Sequence, residues 1–251
     1  LNVVVYVAAH KPYDMPDDAS YRPIHVGHRN AHVELGLPGD DTGENLSDKN
    51  PTYCELTALY WMWKNTADEA YGLAHYRRYF AGSGWRGIAN RAELSGWLDE
   101  YDVVLSRPRN YYIETVRSHY AHAHHGGDLD VARDALAELA PAYLPAFDGV
   151  MAHRGLSLYN MFLMRRELLD DYCGWLFPVL AECERHIPVD TYDAHQARVY
   201  GFLGERLLNV WAAHHRGDLR VGHRPVRNLE GEPYLAKATG VLKRKLGASS
   251  H

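Results

Sequence analysis

The sequence predicts an α/β domain built on a largely parallel sheet, and three observations carry that expectation. Short, uniformly apolar β-branched runs alternate with stretches of helical periodicity, the pattern of strand–helix–strand units. The first run, NVVVYVAA at Asn2 to Ala9, lacks the alternation of a half-exposed strand, so both of its faces should be covered. The chain has 251 residues, 46% apolar and 24% charged, enough for one substantial core. We expect one domain over residues 1–230, followed by a small, basic tail over 231–251.

His10, Lys11 and Pro12 end the first strand. From Tyr13 to Asn50 the chain is rich in Pro, Gly, Asp and Asn around a short IHVG run; a connection this long is usually functional or hides short elements. Asn50 and Pro51 then suit the opening of a helix. Leu56, Leu59, Tyr60 and Trp63 form its buried stripe, and Lys64 and Asn65 end it. AYGLAHYRRYF is the next strand, broken by GSG at Gly82 to Gly84, and YDVVLSRP is a third strand stopped by Pro108. A helical stretch from Arg117 to Leu139 is interrupted by Gly126 and Gly127. SLYNMFLMRR is a strand running into a helix that extends to about Cys183, kinked at Pro178. A last helix covers roughly Phe202 to His215, and LRVGHRPV is a last short strand.

The formal net charge of −5 provides no global basic field, so nucleic acid is not an expected partner. Three cysteines without CxxC argue against a disulfide framework and fit a reducing, cytoplasmic setting. No signal peptide is expected at the apolar start, and no apolar window approaches the length of a membrane span. Eighteen Tyr and six Trp suit sugar or nucleobase faces as well as ordinary half-buried surfaces.

Open sheets of this kind bind ligands beyond the carboxyl ends of their strands. His10 and Lys11 occupy such a position, although a strand-end lysine facing water is equally consistent. No GxGxxG follows this first strand and GxxxxGK[ST] is absent, so dinucleotide and P-loop readings lack their physical parts there. Asn45 and Lys49, within DTGENLSDKN, precede a helix N-terminus where backbone N–H groups favour anions; a capped loop is the alternative. HYRRYF places His75, Tyr76, Arg77 and Arg78 in a row. A guanidinium is a planar fork suited to phosphate oxygens, and on a strand only one of the two arginines would enter a cleft. A basic edge strand is the plainer explanation.

His119, His122, His124 and His125 are read as a structural or solvated cluster rather than a metal site. Glu205 and Arg206 lie near the expected start of the last helix. A carboxylate there is either a general base facing the cleft or one favoured by the helix dipole.

NLSDKNPTYCELTALYWMWKN, YGLAHYRRYF, YNMFLM, DYCGWLFPVL and GFLGERLLNVW together resemble a family of glycosyltransferases assigned to bacterial capsule, exopolysaccharide and O-antigen loci, long labelled a domain of unknown function. The resemblance runs from about Val3 to Val226. It implies a GT-A-like transferase using a nucleotide-diphosphate sugar, with some members associated with galactofuranosyl transfer. Such enzymes usually hold the diphosphate through a divalent cation on Asp-x-Asp, but HYRRYF stands where that motif is expected. The resemblance therefore implies metal-independent binding of a UDP-linked donor by Arg77 or Arg78 with His75 and Lys11; no cofactor is required, and Mn²⁺ or Mg²⁺ is not favoured. His10 would border the nucleoside, while Tyr159, Asn160 and Arg206 would line the side of a glycan or lipid-linked acceptor. Glu205 would be the base, with Asp102 and Asp41 as fallback carboxylates. Lys237, Lys243, Arg244 and Lys245 in the tail offer a peripheral membrane contact that is marginal for anchoring, and a disordered soluble tail is the favoured alternative. The alternatives are a non-catalytic sugar-nucleotide or glycan-binding domain and a metal-dependent hydrolase built on the histidines.

Overall fold

The structure, a computed structural model, describes residues 1–230; the basic tail lies outside them. Strand β1 (Val3–Ala9) pairs in parallel with β2 (Tyr21–His25) on one side and β3 (Ala70–His75) on the other. Beyond β3 the sheet continues through β8 (Phe162–Arg165), β5 (Val103–Ser106) and β9 (Val221–Arg224). Only β8 runs against the others in this order, so the central sheet is mostly parallel, as its apolar runs predict. A hairpin from β3 into β4 (Arg78–Phe80), itself joined by β10 (Val226–Asn228), extends the carboxyl edge. A separate small ladder joins β6 (Arg109–Asn110) to β7 (Gly155–Leu156).

Both sheet faces are covered. Val4, Tyr6 and Ala8 of β1 enter one core, and Val3, Val5, Val7 and Ala9 enter the other. That is the physical reason the run is apolar throughout rather than alternating. The larger core packs against α2 (Leu56–Asn65), α7 (Arg166–His186) and α8 (Val199–His214). It extends over α4 (Val116–Ala123), α5 (Gly127–Leu139) and α6 (Leu144–Ala152). The smaller core is closed by α3 (Arg91–Glu100), which is held at its start by a capping box between Asn90 and Glu93. The sequence reading did not anticipate α3 or α6.

The expected stripe on α2 is half right. Leu56 and Leu59 are fully buried, but Ala58 and Met62 complete the core face. Tyr60 and Trp63 instead lie at the helix flank, their rings 4.9 and 5.8 Å from Phe177 of α7. The glycine interruption between α4 and α5 falls where expected, as does Pro178 inside α7.

Two departures from the expected elements shape the carboxyl edge of the sheet. The helix predicted from Asn50 to Asn65 is two helices. A short α1 (Asn50–Tyr53) ends at Cys54, which takes φ 53° and ψ −131°, and α2 starts afresh at Leu56. HYRRYF is likewise not one strand: β3 ends at His75, Tyr76 and Arg77 make the turn, and Arg78 opens β4 paired with His75. Among the described residues no helix is long and apolar enough to cross a membrane.

Candidate functional site

The carboxyl ends of β1 and β3 and the amino end of the antiparallel β8 meet at one edge of the sheet. His75 leaves β3 there and its Nε2 lies 2.7 Å from the Tyr159 carbonyl. Tyr159 and Asn160, just before β8, both adopt positive φ, 75° and 51°, an uncommon conformation for non-glycine residues that turns the chain sharply into the strand. The Asn160 side chain donates from Nδ2 to Glu55 Oε1 at 2.7 Å and to the Gly201 carbonyl at 3.1 Å. Glu205 accepts the Tyr159 N–H on Oε1 at 2.8 Å and the Arg206 guanidinium on Oε2 at 2.8 Å.

The sequence provides for this closeness through two glycines on α8. A Cβ at Gly201 would stand 3.1 Å from Cys54 Sγ, and one at Gly204 would stand 2.8 Å from Leu56 Cδ1 and 3.0 Å from Asn160 Oδ1. Larger residues would push α8 off the break between α1 and α2. With glycines there, the Glu55 and Glu205 carboxyls come into electrostatic contact.

Burial pushes the Glu205 carboxyl above the ordinary glutamate range. Arg206, the Tyr159 N–H and His75 oppose that rise, while the neighbouring Glu55 adds to it. His75 Nε2 stands 3.8 Å from Glu55 Oε1. Arg206 is nearly sealed, its side chain 4% exposed, with its guanidinium over the Tyr120 ring and Nε without a partner. Glu205 keeps 17% of its side chain open. On the same edge, Arg198 Nε lies 3.2 Å from Cys54 Sγ. Burial nevertheless pushes that thiol up to about 11, so it is a neutral neighbour and not a nucleophile.

A cationic rim borders this pair of carboxyls. The His10 ring meets Tyr76 edge-on at 5.1 Å, and Lys11 and Arg77 approach the same ring at 5.2 and 5.6 Å. His10 is held below the ordinary histidine range, first by the desolvation of this contact and then by the positive charges of Lys11, Arg77, Arg198 and His75. Five nitrogen-bearing side chains thus share one local field. Glu230, just after β10, answers two of them, accepting from Arg77 at 2.6 Å and Lys11 at 3.4 Å.

His10, Lys11, His75, Tyr76, Arg77, Tyr159, Asn160, Glu205 and Arg206 therefore gather at this edge. Arg78 also reaches it, with its guanidinium 4.4 Å above the Tyr159 ring and its buried Nε unpartnered. Asp102 does not. It precedes β5 at the opposite edge of the sheet, gripped by both the backbone and guanidinium of Arg220, which holds its carboxyl below the usual range. Asp41 pairs with His28 at 2.8 Å in the loop after β2. Asn45 closes its own loop on the Asp41 and Gly43 carbonyls, and Lys49 is bound to Glu184 of α7 at 2.7 Å.

Glu205 is also not at a helix start, since α8 begins six residues earlier at Val199. NPTYCEL looks like uninterrupted helix, which hides Cys54 and Glu55, and Arg198 sits in a short turn before α8 that carries no motif; the paired small residues Gly201 and Gly204 are the available sign of a close approach. The four clustered histidines are dispersed. His119 stacks on Tyr111 at 3.9 Å, His122 contacts Glu114, His124 bonds Gln196 at 3.0 Å and His125 stacks on Tyr192 at 4.1 Å.

Residues 4–216 match a family profile described as a domain of unknown function, DUF4422. The chain belongs to this family. The DUF4422 fold here matches the apo structure of the bifunctional glycosyltransferase WbbM with a TM-score of 0.84 and 30% sequence identity. The match covers 92% of this chain and 46% of the WbbM chain, so the DUF4422 chain spans about half the length of that protein. No curated protein matches it. The family membership and the GT-A-like α/β architecture implied by the long motifs are thereby met.

Proposed function

We propose that this chain is a glycosyltransferase domain that moves a sugar from a nucleotide-diphosphate donor to a hydroxyl of a glycan or lipid-linked acceptor. The observation that carries the proposal is the adjacency of a cationic rim and a buried carboxyl pair, at the carboxyl edge of a fold shared with WbbM. Lys11, Arg77, Arg198 and His10 hold the diphosphate, and His75, 3.8 Å from Glu55, shares their field. Glu205 takes the proton of the acceptor hydroxyl as its oxygen attacks the anomeric carbon. The bond from that carbon to the diphosphate oxygen breaks, and the negative charge arriving on the leaving group falls on the cationic rim. The stereochemical outcome is inversion. The rim supplies the positive charge that a divalent ion would otherwise bring. Among donors the proposal favours a UDP-linked hexose, including galactofuranose, used in cytoplasmic assembly of surface polysaccharide.

The test is twofold. UDP and UDP-sugars raise the melting temperature, as any ligand selective for the folded state must. A UDP-sugar incubated with acceptor then releases UDP, and release persists in excess EDTA. Stabilisation without turnover identifies a binding domain instead. Loss of turnover in EDTA with rescue by Mn²⁺ overturns the metal-free rim.

Glu230 supports a further expectation. The Arg77 guanidinium holds its carboxyl below the usual range, with Lys11 contributing, so at neutral pH an anion already occupies the rim. Glu230→Gln removes that competitor, and because exposed ion pairs are weak the gain is small. Calorimetry should find UDP bound a few-fold more tightly, with Lys11→Ala and Arg77→Ala giving the opposite sign.

A further inference from the structure

We propose that the loop following β2 holds a divalent transition metal, best matched by Zn²⁺, through His25, His28 and Glu34. One ligand atom from each of these residues lies within 4.8 Å of the others, and among the described residues they are the group with that property. The set is separate from the carboxyl pair and the cationic rim.

Chain geometry brings the three together. His25 is the last residue of β2 and is 2% exposed, with Nδ1 left without a hydrogen-bond partner. An orphaned ring nitrogen in a buried position is costly unless something binds it. Gly27 then takes φ 67° and starts the turn carrying His28, whose ring centroid lies 4.9 Å from that of His25. His28 Nε2 is 3.0 Å from Glu34 Oε2, and His28 Nδ1 is 2.8 Å from Asp41 Oδ1. A carboxylate on one nitrogen of an imidazole whose other nitrogen faces the ligand set is the arrangement that fixes tautomer and ring direction at metal centres. Two imidazoles and one carboxylate suit Zn²⁺, and three protein ligands leave a position for water. Burial decreases from His25 through His28 to Glu34, so the ion can enter from solvent.

The ion would clip a connection that lacks regular structure beyond its short turns. The same loop returns to β2 through His25 N–H to the Pro38 carbonyl at 2.8 Å, and it lies beside the end of β1, where Ala9 pairs with His25. Its effect is therefore to stiffen the segment flanking His10 rather than to take part in transfer.

The whole chain, stripped with chelator and then incubated with Zn²⁺ or Co²⁺, should retain one equivalent after gel filtration by elemental analysis. Co²⁺ should give the intense visible bands of a low-coordinate site. Glu34→Gln, at an exposed position, and His28→Ala should each lose the stoichiometric ion. Asp41→Asn should weaken binding roughly 10–100-fold while leaving the ligand set intact. Circular dichroism of the variants without metal checks their folding. No retained equivalent in the wild type, or wild-type affinity in Glu34→Gln, overturns the assignment. Because the readout is bound metal and not sugar transfer, failure here is independent of the proposed activity.

Discussion

Glu205→Gln lowers sugar transfer by roughly 10²–10⁴-fold, with UDP binding close to wild type. The expectation follows from the division of labour at the site. In the proposed mechanism Glu205 takes the acceptor proton, whereas Lys11, Arg77, Arg198 and His10 hold the diphosphate. Gln keeps the shape and one acceptor oxygen but cannot take a proton. One of the two donors now served, the Tyr159 N–H or the Arg206 guanidinium, loses its best partner. Thermal denaturation of the variant must therefore accompany the kinetics.

The pH profile adds a signed test. A base works deprotonated, and burial raises the Glu205 pKa above its reference of 4.5. Activity should fall as pH drops through that raised value, placing the acid limb of kcat/KM above the range of an ordinary glutamate. Glu55→Gln removes a like charge beside Glu205, so the limb should move to lower pH. A Glu205→Gln enzyme with near wild-type turnover would transfer the role to Glu55.

Asp40→Ala destabilises the fold by about 3–5 kcal/mol, because several buried donors lose their acceptor at once. Asp40 is completely buried and receives the Gly27 and His28 N–H groups at 3.0 and 3.1 Å. It also accepts the Ser47 and Thr57 hydroxyls at 2.5 and 2.6 Å. Those partners come from the loop after β2, the turn before α1 and the first turn of α2. One carboxylate thus pins both flanks of the Cys54–Glu55 break. Loss of stability in urea should come with slower transfer, since the break positions Glu55 against Asn160 beside Glu205. Asp40→Asn, which retains one oxygen, should cost less. A change below about 1 kcal/mol for Asp40→Ala would mean that water replaces the lost acceptor without penalty.

Much of the candidate site is legible in the sequence. His10, Lys11, His75 and Arg77 stand out because they follow apolar strand runs, and a parallel sheet gathers strand exits along one edge. Tyr159 and Asn160 read as the turn into a strand, and their positive φ values show how sharp that turn is. Asp102 misled because a carboxylate beside a strand reads the same at either end. The antiparallel pairing of β8 with both β3 and β5 places it, with Arg220, at the edge remote from the cluster. Glu55 was missed because a single residue in an unusual conformation, Cys54, leaves no mark on helical periodicity.

By itself the sequence determined the fold class, the family and most of the cationic groups. Apolar period, strand-end chemistry and long ordered motifs are local properties, readable along the chain. Tertiary structure alone decided which carboxyls meet and that burial raises the pKa of Glu205. That depends on the approach of α8 to the α1–α2 break, a contact between segments about 150 residues apart that two glycines permit but do not specify. Burial and proximity in space, not residue type, turn Glu205 from a surface helix carboxylate into a candidate base.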